Sequence, residues 1–526
     1  MSANLNQQLW ASADILRGKM DASDYKNYLL GIIFYKYLSD QQLRATFEEE
    51  NGEPEEYPAR EKLLQGLMDW YEDDRKEITD NIKLKIGYFI EPEDLFFRLR
   101  KKADSYDFQL DDLNNAFLNL SKQGEQFLGL FDDIDLSSMK LGSNPQQRNV
   151  TITEVLKTID EINLFGHDGD VIGDAYEYLI GQFAAGAGKK AGEFYTPQAV
   201  SKIISKISVV GQENKIPLHI YDPTMGSGSL MLNMGKYVDD KLKIYYHGQE
   251  LNTTTYNLAR MNLILHGVES SRMRLNNGDT LDEDWPADEP FTFDVVTMNP
   301  PYSAKWSADD KFLSDPRFER YGKLAPKSKA DFAFLLHGYY HLKDSGTMGI
   351  VLPHGVLFRG AAEGIIRKTL LESGAIDAVI GLPANIFFGT SIPTVVLILK
   401  KSRSLKDVLF IDASNDFEKQ KNQNNLREED IEKIVATYKN RENVEKYAHL
   451  ATFEEIESND FNLNIPRYVD TFEEEEPIDI VALSAEMVEL NAEIKKTESE
   501  FLSMLDELAV TDETRDIIEA TKRIFG

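Results

Sequence analysis

Through the first 170 residues, apolar positions recur at helical spacing. In NYLLGIIFYKYLSDQQL, the residues Leu29, Leu30, Ile33, Phe34, Tyr37 and Leu38 advance in alternating steps of one and three, which places them on one face of a helix. Asp21 and Ser23 stand just ahead as N-cap candidates, able to accept from the first unpaired backbone N–H groups. The stretch EEENGEPEEYPAREK, residues 48–62, breaks the pattern with Gly, Pro and charge and reads as a loop. An all-α N-terminal domain is expected over residues 1–170, with nothing in it that looks catalytic.

From about residue 190 the period changes. Short runs rich in β-branched and aromatic residues, LHIYDPT, KIYYHGQEL, MRLNNGDT, FDVVTMNPP, MGIVLP, IDAVIGLP and TVVLILKK, alternate with helical patterns. That alternation predicts the α/β class, a parallel sheet with helical crossovers. Several runs finish on Gly, Asp, Glu or Asn, which puts polar groups at strand carboxyl ends, where open α/β sheets bind ligands. A catalytic domain is expected over residues 171–475. EEEEPIDI, residues 473–480, reads as a hinge. Beyond it Leu483, Met487, Leu490, Ile494, Phe501, Met504 and Leu508 follow steps of four and three, with Thr497 in the one polar slot. This heptad seam predicts a coiled-coil-like helix in residues 476–526 that docks along another helix, in this chain or in a partner.

Composition narrows the classes. At 526 residues the chain exceeds what one core usually covers, so two or three domains are expected. No apolar run approaches the roughly 18 residues a membrane span requires, and the start MSANLNQQLWASAD lacks a basic segment followed by an apolar one. A cytoplasmic protein with no membrane contact is expected. The absence of cysteine removes disulfides, thiolate zinc sites and any cysteine nucleophile. Eight scattered histidines without an HExxH pattern give no reason to expect a metal. The balance of 58 basic against 89 acidic residues, net −31, repels nucleic acid. If the protein works on DNA, a partner chain must supply most of the grip; the same excess also serves solubility.

The sequence DPTMGSGSL, residues 222–230, follows a strand and precedes a helical pattern, with Gly226 and Gly228 permitting a tight turn and close backbone approach. A dinucleotide loop would want glycine at 231, where methionine stands, so NAD and FAD are disfavoured. AAGAGKKAGE places Lys190 after Lys189 where a phosphate loop needs Ser or Thr, which argues against ATP. Glu250 ends the next strand, 22 residues after Gly228, positioned to accept from both ribose hydroxyls. Asn277-Gly278-Asp279 ends the following one, with a carboxylate able to meet an adenine amino group. This order of Asp222, glycine loop, Glu250 and Asp279 resembles the S-adenosylmethionine site of class I methyltransferases.

The run FDVVTMNPPY closes on an asparagine and two prolines. Asn299 offers a side-chain oxygen, and the prolines lack N–H and fix φ, so the turn bares carbonyl oxygens. Two acceptors, the Asn299 side chain and the Pro300 carbonyl, can take both hydrogens of a planar NH₂ and turn its lone pair into a nucleophile. No thiol is needed. Tyr302 offers a ring for stacking. NPPY matches the [DN]PP[YFW] hallmark of amino methyltransferases. GEFYTPQAVSKII, residues 192–204, is similar to their N-terminal cofactor motif. Its position ahead of the glycine loop resembles the γ class of N6-adenine DNA methyltransferases.

The likeness narrows further. LWASADILRGKMDASDYKNYLLGIIFYKYL, EFYTP, NPPY, LPANIFFGTSIPTVVLILKK and FNLNIPRYVD together resemble the modification subunit of type I restriction-modification systems, over about residues 5–475. The resemblance implies a class I methyltransferase sheet behind a helical N-terminal domain. It implies that S-adenosylmethionine is held by Glu193, Phe194, Tyr195, Thr196, Pro197, Gln198, Asp222, Gly226, Ser227, Gly228, Ser229, Glu250 and Asp279. Asn299, Pro300, Pro301 and Tyr302 would hold the target amine, and Tyr302 with Phe387 or Phe388 would stack on an adenine flipped out of duplex DNA. A separate specificity subunit carrying two methyltransferase copies, and a motor and nuclease subunit for restriction, are implied as partners. Residues 303–330 carry Lys305, Lys311, Arg317, Arg320, Lys323, Lys327 and Lys329 against four acids, a local basic lip that could meet the DNA backbone. Glutamine-amide or cytosine-N4 methylation and a non-catalytic scaffold stand as alternatives.

Overall fold

A computed structural model describes residues 2–17, 20–165, 167, 169–186, 195–282, 285–286, 292–387, 389–420, 423–471, 479–511 and 513–525. Eight helices come first: α1 Ser2–Ser12, α2 Ala22–Asn51, α3 Arg60–Asp73, α4 Arg75–Ile86, α5 Phe96–Asp104, α6 Leu110–Ser121, α7 Pro145–Asp160 and α8 Gly169–Gly186. Asp21 takes the N-cap position of α2, and Gly52 at φ 74° ends it, where a side chain would be strained. The other helices pack around α2, so its burial is wider than the expected stripe and takes in Lys36 and Asp40, one turn apart and paired.

The sheet has nine strands: β1 Leu218–Asp222, β2 Ile244–Glu250, β3 Met273–Asn277, β4 Phe293–Met298, β5 Leu342–Pro353, β6 Ile376–Gly381, β7 Thr394–Lys400, β8 Val408–Asp412 and, after a two-stranded ribbon of β9 Glu418–Lys419 and β10 Asn424–Asn425, β11 Ala448–Ala451. Their order is β11-β8-β6-β7-β5-β4-β1-β2-β3. All seven expected strands are present. The expected α/β sheet is present, and its strands are mixed rather than parallel throughout: β7 runs antiparallel to β5 and β6, and β11 antiparallel to β8. Among its described residues the connection from β6 to β7 contains no helix, and without a crossover the chain returns in the opposite direction.

β1, β2, β3 and β4 are parallel, with β2 on one side of β1 and β4 on the other. The chain moves outward from β1 to β3 and then doubles back to β4. That reversal opens a crevice at the carboxyl ends of β1 and β4, where open α/β sheets take their ligands. Helices α9 Gln198–Ser208, α10 Ser229–Leu232, α11 Thr253–Leu265 and α12 Asp331–Tyr340 lie before, among or after these strands in sequence, and α13 Ala361–Glu372, α14 Glu428–Asn440 and α15 Phe453–Ser458 follow. Helix α11 also contributes Leu258, Met261 and Leu265 to the core of the N-terminal helices.

The chain divides into two compact units, Met1–Asp470 and Thr471–Gly526, so the N-terminal helices and the sheet form one body. The second unit is a helical hairpin. α16, Ile480–Asp506, is capped by the Asp479 carboxylate, which accepts from Val481 and Ala482 N–H. α17, Arg515–Phe525, returns along it, with Phe501 and Phe525 edge to face at 5.5 Å. The expected hinge falls largely on residues 472–478, outside the described residues. The heptad seam lies on α16 up to Met504, with Leu508 beyond the helix end, and its apolar side chains are exposed. Among the described residues no helix is long and apolar enough to cross a membrane.

Candidate active site

The turn after β1 is held by its own backbone. Gly226 and Gly228 adopt φ of 54° and 78°, conformations that favour glycine, and a Cβ on Gly228 would stand 2.8 Å from Leu263 Cδ1. Glu250, at the end of β2, fastens this turn from the neighbouring strand: one oxygen accepts from Gly226 N–H at 3.1 Å and the other from Asn252 N–H at 2.9 Å. Burial raises its carboxyl pKa, and those backbone N–H groups act against the rise.

Asp222 is 1% exposed and accepts from Thr224 N–H at 2.9 Å. Burial pushes its carboxyl up to about 8, Thr224 opposing and Glu250 adding to the rise. Ser227 and Ser229 hydroxyls meet at 3.0 Å. These groups line a narrow cavity with Tyr195, Thr196 and Asn299. It adjoins a cleft of 830 Å³ bounded by Pro223, Glu250, Asp279, Asn299, Pro301 and Phe334, with Lys26 and Asn27 of α2 also on its wall. Asp279 stands exposed at the end of β3 and accepts from Leu281 N–H at 2.9 Å.

Asn299 sits where β4 ends, between the two cavities. Its Nδ2 donates to Thr196 Oγ1 at 3.1 Å, and its Oδ1 accepts from the Tyr302 hydroxyl at 3.0 Å. Among the described residues no donor reaches the Pro300 carbonyl, whereas the Pro301 carbonyl accepts from Ala304 N–H at 3.4 Å. The turn is fastened from behind: Ser303, at φ 51°, donates its N–H to buried Asp331, which Arg359 holds in turn. Burial, with Asp331 adding, keeps the Tyr302 hydroxyl well above the ordinary phenol range, so it remains a donor. The Tyr302 ring meets Phe387 edge-on, centroids 5.8 Å apart.

The structure thus brings Tyr195, Thr196, Asp222, the glycine loop, Glu250, Asp279 and the NPPY turn together around one crevice. Glu193, Phe194 and Phe388 lie outside the described residues. Two expectations need revision. Gln198 does not line the cavity: its amide donates to Glu177 and accepts from Asn233. Arg317, expected on a DNA-facing lip, is 2% exposed; it bonds Asp315, the carbonyls of Thr280 and Leu281, and His337. It ties the segment after NPPY to the loop after Asp279 and cannot reach a phosphate. Lys305, Lys311, Arg320, Lys323 and Lys327 are exposed, and Lys329 is half-buried. Sequence reasoning missed Glu177 and Asp331, both buried; a charged residue on the apolar face of α8 was the available signal for the first.

The family model for N-6 DNA Methylase matches residues 167–477, well over half of the chain. The chain belongs to this family. The HsdM N-terminal domain model matches residues 5–159, the helical region. The methylase subunit of the type I restriction enzyme MpnII from Mycoplasma pneumoniae is 36% identical, over 98% of each chain. That of MjaVII from Methanocaldococcus jannaschii is 32% identical over 95% of this chain and 82% of that one. The crystal structure of the methyltransferase subunit of a type I restriction-modification system from Streptococcus thermophilus superposes with a TM-score of 0.87 at 58% identity, covering 90% of this chain and all of that one. The protein is a type I methylase subunit, an S-adenosylmethionine-dependent N6-adenine DNA methyltransferase. The amide, cytosine-N4 and scaffold alternatives are not favoured by these matches.

Proposed function

We propose that this chain methylates adenine N6 in duplex DNA at a site chosen by a separate specificity subunit, with two copies acting on one such subunit in the cytoplasm. A motor and nuclease subunit joins the same assembly for restriction. The observation that carries the chemistry is the orientation of the Asn299 amide: Thr196 takes its NH₂ end, so its oxygen faces the side from which Tyr302 donates.

The cavity residues fit the cofactor. Asp222 is a buried carboxylate with no ion-pair partner among the described residues, raised by desolvation to about 8; an incoming ammonium relieves that burial. Glu250 serves the ribose hydroxyls, and Asp279, at the open end of the cleft, serves the adenine amino group. Tyr195, Thr196, Ser227, Gly228 and Ser229 shape the narrower end, and Pro197 leads into α9. S-adenosylmethionine, when bound, supplies a methyl carbon on a sulfonium, open to in-line displacement.

For the target, extrusion from the duplex costs a few kcal/mol, offset in part by the Tyr302 ring, which can stack on the base beside Phe387. Asn299 Oδ1 and the Pro300 carbonyl accept the two N6 hydrogens, and Pro301 keeps the turn rigid. Both oxygens then face the positive charge that develops on nitrogen as its bond to carbon forms, an electrostatic contribution that needs no reorganisation.

The acidic chain makes poor contact with DNA by itself. Lys305, Lys311, Arg320, Lys323, Lys327 and Lys329 give local contact beside the NPPY turn, and sequence recognition comes from the specificity subunit. The exposed apolar seam of α16 over Leu483, Met487, Leu490 and Ile494 docks on that subunit; a full-strength complex after deletion of Thr471–Gly526 would exclude this. Incubating the protein with labelled S-adenosylmethionine, duplex DNA and the specificity partner should put label in N6-methyladenine. Label in N4-methylcytosine, or in protein only, would overturn the proposal.

A further inference from the structure

Glu177 lies in the middle of α8 and is 3% exposed, on the face the helix buries beside Tyr176 and Ile180. A buried carboxylate is costly unless its oxygens are fully bonded. Both oxygens are used, and both partners are neutral amides. Oε2 accepts from Gln198 Nε2 at 3.0 Å, and Oε1 accepts from Asn262 Nδ2 at 3.3 Å.

Each amide leads to a different wall of the cofactor cavity. Gln198 follows directly on Tyr195, Thr196 and Pro197, and its Oε1 accepts from Asn233 Nδ2 at 2.9 Å, which also donates to Ser201. Asn262, on α11, donates with the same nitrogen to the Ser227 carbonyl in the glycine loop at 3.0 Å. One carboxylate on an N-terminal helix therefore holds both walls. Asp174 and His266 bring ligand atoms within 4.8 Å of it. Those groups do not make a cation site with Glu177, because Asp174 is paired with Lys236 and both Glu177 oxygens are already bonded.

We propose that Glu177 is a positioning residue for S-adenosylmethionine, its two oxygens setting the separation between the Tyr195–Thr196 wall, which Gln198 anchors from behind, and the glycine loop. The proposal rests on placing the cofactor in the cavity between those walls. A carboxylate only accepts, so it dictates the direction of every bond in the network. Gln198 must turn its nitrogen toward α8 and its oxygen toward Asn233. A glutamine at 177 would turn one NH₂ toward another, and relieving that clash requires Gln198 or Asn262 to abandon its second partner.

The test is calorimetric binding of S-adenosylmethionine and S-adenosylhomocysteine to the full-length protein, with turnover measured on its DNA complex. E177Q should weaken both ligands by about tenfold, the effect of losing one such bond. Turnover at saturating cofactor and KM for DNA should stay within about threefold, a split that general loss of folding would not give. Q198E, which sets two carboxylates face to face, should be similarly weak. The exchange E177Q/Q198E lets the amide at 177 donate to the carboxylate at 198 while the latter still accepts from Asn233, and affinity should return to near wild type. Wild-type affinity in E177Q, or a folded double variant no tighter than the singles, overturns the positioning role. Should E177Q fail to fold, the double variant still decides. Glu250→Ala separates the two levels: lost binding there with intact E177Q defeats the positioning role alone, and wild-type binding in both defeats the placement of the cofactor.

Discussion

The Asn299 side-chain nitrogen donates to the Thr196 hydroxyl at 3.1 Å, joining the turn after β4 to the wall of the cofactor cavity across 103 residues of sequence. An amide has a donor end and an acceptor end of nearly the same shape. On the proposed reading, the wall that receives the cofactor also holds the amide that meets the target, so chemistry at the amine would depend on a residue outside the NPPY turn.

Thr196→Val keeps the shape and removes the acceptor. The Asn299 amide then loses the side-chain partner that anchors its nitrogen, and single-turnover methylation should slow by about tenfold, close to 1.4 kcal/mol in the barrier. An unchanged rate would show that the orientation is set elsewhere.

Tyr302→Phe removes the hydroxyl that reaches Asn299 Oδ1 at 3.0 Å and keeps the ring. Capture of the target base should be as strong as in the wild type or stronger, because Oδ1 no longer has to exchange one donor for another. Tyr302→Ala should weaken capture by about 1–3 kcal/mol through lost stacking. Fluorescence of 2-aminopurine placed at the target position, which rises when the base leaves the stack, reads both variants.

Burial holds the Asp222 carboxyl at about 8 in the folded chain, far above the roughly 3.9 of an unfolded one. Between those values the folded state binds more protons than the unfolded state. Stability from this group is therefore greatest below the lower value and declines as pH rises to the higher one. Asp222→Asn should abolish that decline and stabilise the ligand-free protein above pH 8 by on the order of 1–3 kcal/mol, while weakening S-adenosylmethionine binding. Urea unfolding at pH 6 and pH 9 measures the first effect; an identical pH dependence in both proteins would refute it.

Arg317 and its basic neighbours should separate cleanly. Arg317→Ala leaves the partly buried Asp315 and the buried Thr280 and Leu281 carbonyls without their donor and should destabilise the fold by about 1–3 kcal/mol, with the salt dependence of DNA binding by the folded fraction unchanged. Lys323→Gln and Lys327→Gln should leave stability within about 0.5 kcal/mol, and each should reduce the slope of log affinity against log salt by up to about 0.9. Denaturation curves and salt titrations of the assembled complex provide both readings.

What the sequence disclosed was local. The strands from LHIYDPT to TVVLILKK showed themselves by composition, and Asp222, Glu250 and Asp279 by their place at strand ends. The strand β8, VLFID, is short and carries no polar alternation, and a hydrophobic run carries no sign of direction, so the reversal of β7 is a property of the tertiary connection and not of its sequence. Arg317 counted as surface charge because its partners, the carbonyls of Thr280 and Leu281, lie 37 and 36 residues away. Glu177 meets Asn262 across 85 residues. Pairings over such spans arise from packing, which spacing and composition do not encode.

Helix α11 has a practical bearing on shortening this protein. Its residues Leu258, Met261 and Leu265 belong to the N-terminal helical core, while its other side faces the strands. Excising the leading helices would therefore strip the cover from an oily ridge on the methylating half itself, and the remnant should clump instead of persisting as a miniature enzyme. The two regions are inseparable as working material, whatever boundary is drawn between them on a map of the chain.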